Sequence, residues 1–155
     1  MVKWLTSLGA ALFVFVVDRI TKIWVLKKLS VHSFVKINDF LNVVHITNKG
    51  GLWGIGNHRG GTFFVVASIL AIVVVLALLK RQRDGDVLSS LAFGFILGGG
   101  MGNLVDRLLY GSVIDFIDVH YKGWHWPAFN FADAFIVVGI IMLVLFYRPE
   151  RSGSG

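Results

Sequence analysis

Two uninterrupted apolar runs constrain this chain most. Gly61 to Leu79 and Val87 to Val105 each contain 19 residues and no charged side chain. At about 1.5 Å of helical rise per residue, each run reaches about 29 Å, enough to cross a hydrocarbon core. Backbone N–H and C=O groups in lipid must be paired within the protein, and unbroken apolar runs of this length do so as helices, whereas barrel strands need only about 10 residues. The polar, basic turn KRQRDGD (80–86) joins them into a hairpin. Composition agrees: only 15% of residues are charged, against roughly 25% in a soluble domain, and the mean hydropathy is +0.73.

Two further helices complete the expected fold. Trp4 to Leu26 reads as a retained first transmembrane helix rather than a cleaved leader, because no small-x-small pattern follows it. Its far third is polar, and Asp18 and Lys22 stand four residues apart, placed to pair on one helix face. Asn130 to Tyr147 supplies the fourth span. Between the first two helices, residues 29–58 form the largest non-spanning stretch. Alternation through Phe34–Asn38 and Leu41–Val43 predicts short strands. NKGGLWGIGN (48–57) predicts tight turns, with Leu52, Trp53 and Ile55 forming a lid or wall at the membrane interface. The expected fold class is an integral membrane protein, mainly α, with four transmembrane helices and a small extracytoplasmic β-structure. It makes one domain over residues 1–151, and 152–155 read as an appended artificial tail.

Four helices put both termini on one side. The +6 formal charge gathers at the ends of apolar segments, which favours headgroup contact and topology over nucleic acid. Lys3, Lys80, Arg81, Arg83, Arg148 and Arg151 place the termini and the 80–86 turn in the cytoplasm, although Lys27, Lys28, Lys36, Lys49 and Arg59 fall on the opposite side. Gly94, Gly98 and Gly102, at four-residue spacing, predict close approach of a neighbouring helix.

With this topology Asp18, the 29–58 segment, Asp106, Asp115, Asp118 and Asp133 converge at the extracytoplasmic edge. Carboxylates near hydrocarbon are costly, so each is a functional candidate. Asp106 is followed by Arg107 and preceded by Asn103, which favours an Asp–Arg contact or a helix-end cap. Asp115 and Asp133 have no base beside them in sequence. Two such carboxylates, close together and partly desolvated, split into a protonated acid and a charged base, the arrangement of an aspartyl peptidase. Asp118 could stand in for Asp115 on spacing alone but, with Asp39, is expected on the solvated outer surface. The chain has no cysteine, Ser112 lacks a nucleophile elbow, and no HExxH-type pattern frames Asp115, Asp118, His120 and His125. Neither metal nor cofactor is expected, and the two histidines read as interfacial belt residues. A small proton- or ion-coupled transporter using the same aspartates, and a non-catalytic helical scaffold, are the alternatives. A transporter would more usually carry its acids near the midplane.

Five blocks carry a resemblance across nearly the whole chain: DRITK (18–22), NKGGLWG (48–54), GNLVDR (102–107), VIDFID (113–118) and FNFAD (129–133). In this order they resemble the bacterial lipoprotein signal peptidases, or signal peptidase II, a family of four-helix membrane aspartyl peptidases. The resemblance implies a catalytic dyad at Asp115 and Asp133, with supporting residues Asp18, Asn48, Gly50, Asn103, Asp106, Arg107 and Asn130. Pairing Asp106 with Asp133 is the competing assignment, disfavoured because the adjacent Arg107 would give Asp106 a structural task. Leu52 departs from the small residue usual after the Asn-x-Gly block. The implied substrate is a prolipoprotein, cut before a diacylglyceryl-modified lipobox cysteine. Membrane lipids and cyclic peptide inhibitors of the globomycin type are the other implied partners. The implied location is the bacterial inner membrane, with the site at its outer face.

Overall fold

The computed structural model describes residues 1–50 and 60–147. It contains four helices, α1 (Val2–Lys28), α2 (Gly60–Arg81), α3 (Val87–Tyr110) and α4 (Phe131–Phe146), and four strands, β1 (Phe34–Lys36), β2 (Leu41–Asn48), β3 (Val113–Tyr121) and β4 (Trp124–His125). The expected lid or wall at Leu52, Trp53 and Ile55 and the terminal bases Arg148 and Arg151 lie outside the described residues.

Helix α3 is the centre of the bundle, packing against α1, α2 and α4. Its glycines make this possible. A Cβ on Gly94 would stand 2.5 Å from the Ser7 carbonyl oxygen and from Ala10 Cβ, and one on Gly98 would strike the Ala11 carbonyl and lie 2.9 Å from Val14 Cβ. A Cβ on Gly102 would collide with the Asp18 carboxylate. The expected close approach is therefore to α1. On another side of α3, a Cβ on Gly99 would meet the Ala132 carbonyl of α4 at 2.5 Å. Asp86 caps the start of α3 by accepting from Ser89 N. Gly111, at φ 68°, ends it in the left-handed conformation that glycine adopts without strain. The helix runs five residues past the predicted end at Val105, so Asp106 and Arg107 sit on its last turns.

Helices α2 and α3 are long and apolar enough to cross a membrane. Helix α1 has the length, at 27 residues, but buries Asp18 and Lys22; α4 is apolar but has 16 residues, about 24 Å. Exposed Phe63, Leu70 and Val73 on α2 and Val137, Ile141 and Val144 on α4 form faces suited to hydrocarbon rather than water.

The strands form one antiparallel sheet in the order β1-β2-β3-β4. The sequence pattern indicated β1 and the start of β2; β3, across the VIDFID block, was not expected. In β2 the register slips between Val43 and Ile46, one extra residue opposite β3, as in a β-bulge. Val25 near the end of α1 packs with Ile114 and Phe116 of β3 and anchors the sheet to the bundle. The N-terminus lies at the other end, where Lys3 Nζ donates to the carbonyls of Lys80 (3.0 Å) and Gln82 (2.5 Å).

Candidate active site

Three elements deliver the two candidate acids. Asp115 enters on β3, which pairs with β2 so that Asn48 stands opposite Val113, two residues away on the same face. Asn48 Nδ2 therefore donates to Asp115 Oδ2 at 3.1 Å, and its Oδ1 accepts from Gly50 N at 3.1 Å. Phe129 bridges to β3, exchanging backbone hydrogen bonds with Ile117 (2.8 and 3.1 Å). That bridge brings the start of α4 beside Asp115. Asn130 is the N-cap of α4 and forms a reciprocal capping box with Asp133: Asn130 Oδ1 accepts from Asp133 N (2.9 Å), and Asn130 N donates to Asp133 Oδ2 (3.3 Å). Residue 133 is the third of the helix, the position whose carboxylate such a box requires.

Asn130 also joins the acids. Its Nδ2 donates to Asp115 Oδ1 at 2.8 Å, with weaker contacts to the Ile114 carbonyl (3.3 Å) and Asn103 Oδ1 (3.2 Å). From α3, Asn103 Nδ2 donates to Asp133 Oδ1 at 2.7 Å. Each of the four carboxylate oxygens thus has a donor. Burial pushes the Asp115 carboxyl up to about 7, the neighbouring Asp133 charge adds to this, and the hydrogen bonds from Asn48 and Asn130 oppose it. At neutral pH Asp115 is poised between its protonated and ionised forms.

Asp115 and Asp133 open onto one cavity of about 650 Å³, whose walls include Asn48, Gly50, Arg107 and Trp126. A second cavity of about 530 Å³ runs between α2, α3 and α4, with Ile72, Gly100 and Ile140 in its wall, and shares Arg107 and Asp133 with the first. An apolar cleft thus leads from the bundle to the acids.

Asp106 and Arg107 do not pair as expected. Adjacent helical residues point about 100° apart. Asp106 turns into the bundle, where Arg19 donates to its Oδ1 and Lys22 Nζ lies 2.8 Å from its Oδ2. Ile114 N also donates to Oδ2, at 3.2 Å, tying α3 to β3. Asp106 keeps a structural task, but Arg19 and Lys22 replace Arg107 as its partners. Arg107 faces the cleft, donating to Ser68 Oγ (3.4 Å) and to the Asn103 carbonyl (3.2 Å) with its guanidinium over Phe64.

Asp18 and Lys22 pair as expected, at 2.8 Å and fully buried. Asp18 Oδ1 also accepts from Ala132 N in the first turn of α4 (3.1 Å). Asp118 is not on the solvated surface. It is 7% exposed, accepting from Asn42 Nδ2 and contacting His125 Nδ1, both at 2.8 Å. Burial raises its carboxyl, but the His125 and Asn42 contacts outweigh this and hold it below the usual carboxylate range. The bulge in β2 matches Asn42 to Asp118, which alternation in the sequence could not reveal. Among the described residues no cluster of three or more His, Cys, Asp or Glu side chains is arranged to hold a metal.

The fold and the site define a class: an apolar helical bundle with a small sheet and a carboxylate pair at one end. Comparison with known proteins supplies the family. The profile described as Signal peptidase (SPase) II matches residues 10–148. A lipoprotein signal peptidase from Burkholderia thailandensis is 43% identical over 140 residues, covering 88% of this chain and 84% of its own length. One from Paraburkholderia phytofirmans is 41% identical over 150 residues, covering 95% and 87%. A bacterial membrane enzyme solved by the in meso method at 2.3 Å superposes with a TM-score of 0.83 at 29% identity, covering 90% of this chain and 85% of that one. The chain belongs to the signal peptidase II family.

Proposed function

We propose that this protein is a membrane aspartyl endopeptidase that hydrolyses the bond before the diacylglyceryl-modified cysteine of prolipoproteins. The observation that carries the aspartyl reading is the acid pair itself: Asp115 and Asp133 line one cavity, and the Asp115 carboxyl is raised to about 7. Asp133 takes the part of the base in this scheme. Its two oxygens accept from Asn103 and Asn130 N, and it lies in the first turn of α4, where the helix dipole favours negative charge. It removes a proton from water while protonated Asp115 donates to the scissile carbonyl oxygen, giving a neutral tetrahedral diol. In the second step the C–N bond breaks, the amine takes a proton from Asp133, and a diol hydroxyl returns one to Asp115. Neither metal nor cofactor enters this scheme.

The cleft between α2, α3 and α4 supports binding of the apolar signal segment and acyl chains within the bilayer, with the scissile bond at its polar end. A globomycin-type cyclic peptide would occupy the same cavity. Residues 1–151 act as one unit in the inner membrane, with the termini and the 80–86 turn in the cytoplasm and the acids at the outer face; the charge distribution supports this orientation.

The test is cleavage of a diacylated lipobox peptide by purified protein. Asp115→Asn and Asp133→Asn should each lower turnover by at least about a thousandfold while melting cooperatively, since each removes one proton carrier. Turnover near the native rate in either variant would end the acid-pair reading.

A further inference from the structure

Lys22 has no part in the scheme above, yet it is wholly buried in an apolar bundle. A buried ammonium is expensive, and replacing buried ion pairs by apolar residues often stabilises a fold. Its surroundings suggest a more specific task than charge balance. Nζ lies 2.8 Å from Asp18 Oδ2 and 2.8 Å from Asp106 Oδ2. Asp18 Oδ2 nevertheless has no hydrogen-bond partner, because that contact is close but poorly aligned. The aligned hydrogen bond from Nζ goes instead to Asn103 Oδ1, at 2.9 Å.

That bond has a directional consequence. An ammonium only donates, so the face of Asn103 turned toward Lys22 must be its carbonyl oxygen. The amide nitrogen is then turned the other way, onto Asp133 Oδ1 at 2.7 Å. The other donor to Asn103 Oδ1 is Asn130 Nδ2 at 3.2 Å, which is shared with Asp115 Oδ1 and the Ile114 carbonyl. Without Lys22 the oxygen side of Asn103 would keep only this divided contact, and the amide would be held chiefly by its bond to Asp133 itself.

We propose that Lys22 is a positioning residue for the acid pair, its ammonium locking the Asn103 side-chain amide so that the NH2 group faces Asp133. This rests on the reading of Asp115 and Asp133 as the catalytic pair. The amide donor favours the charged carboxylate at Asp133, and the lock joins α1 to the site through α3. Arg107 and Asp115 are the other charged or titratable groups around Asp133.

The experiment compares three variants of the full chain, reconstituted in lipid, on the diacylated lipobox peptide. Asp18→Asn is the reference. Asp18→Asn/Lys22→Met removes the ammonium together with one carboxylate, leaving Arg19 and Asp106 balanced. Asp18→Asn/Lys22→Gln keeps a neutral N–H donor. Relative to the reference, the Met variant should lose at least about tenfold in kcat with KM within about twofold. Its kcat–pH profile should change as well, because the carboxylate of the base has lost an aligned donor. The Gln variant should recover part of the rate. A Met variant matching the reference in kcat and pH profile would overturn the proposal. If the Met variant does not melt cooperatively, the Gln variant carries the test, judged by retained kcat; two misfolded variants would make Lys22 a residue of stability alone and also overturn it. Activity in Asp133→Asn would remove the acid pair itself, whereas an inactive Asp133→Asn beside an unaffected Met variant would remove only the role of Lys22.

Discussion

At the scale of single residues, asymmetry between two chemically identical side chains is the central fact. Asp115 is nearly sealed, 2% exposed, on a strand, whereas Asp133 sits at a helix start and completes a capping box. The raised Asp115 carboxyl makes two pH predictions. In the proposed scheme Asp115 is the general acid and must be protonated, so kcat should fall as pH rises through about 7; a flat profile from pH 6 to 8.5 would contradict this. For stability the sign follows from linkage. A carboxyl whose folded value lies above its unfolded 3.8 binds more protons when folded, so the fold loses stability as pH climbs from about 4 to about 7. The loss should be on the order of 4 kcal/mol across that window, and Asp115→Asn should abolish it in melting measured against pH. Asn130→Ala should cost about 1–2 kcal/mol through the lost cap. It should also lower kcat, because the same side chain holds Asp115.

Among elements, the α1–α3 contact decides whether the site exists. Gly98 and Gly102 let α1 approach until Asp18, Arg19 and Lys22 reach α3 and α4. A side chain at Gly98 would meet the backbone oxygen of Ala11, which has little room to yield. Gly98→Val should therefore destabilise by about 1–3 kcal/mol, seen as a lower melting temperature. The peptidase rate should fall as well, although residue 98 lies outside the site. Gly61→Val, on a glycine with nothing within 4 Å of its would-be Cβ, is the control and should leave melting nearly unchanged.

Over the whole molecule, function depends on which end of the bundle faces which compartment. The N-terminus is tied to the 80–86 turn by its amine, 2.5 Å from Asp84 Oδ2, and by Lys3, while the sheet and the acids occupy the other end. The absence of cysteine makes the orientation directly measurable. A single cysteine at Lys122, in the turn between β3 and β4, should react with an impermeant maleimide from outside the cell. In the proposed orientation one at Arg83 should react only after the membrane is opened. The reverse pattern would invert the topology.

Much of this was readable from residue order alone. Two charge-free runs of 19 residues match the length of a spanning helix rather than of a barrel strand, and a helix satisfies its backbone groups within one segment. Glycines at four-residue spacing mark one face of a helix, and five ordered blocks identify the family. Which groups pair within those blocks depended on rotation and register, which sequence spacing does not contain. Adjacent Asp106 and Arg107 point apart on one helix, so the buried acid took its counter-charges from α1 and left Arg107 to the cleft. One extra residue in β2 matched Asn42 to Asp118 and removed that acid from solvent. Lys22 reads locally as half of an i,i+4 pair with Asp18. Only the close packing of α1 on α3 carries its ammonium to Asn103, across 81 residues of chain, because a glycine face sets the distance between helices while the side chains above it decide what meets.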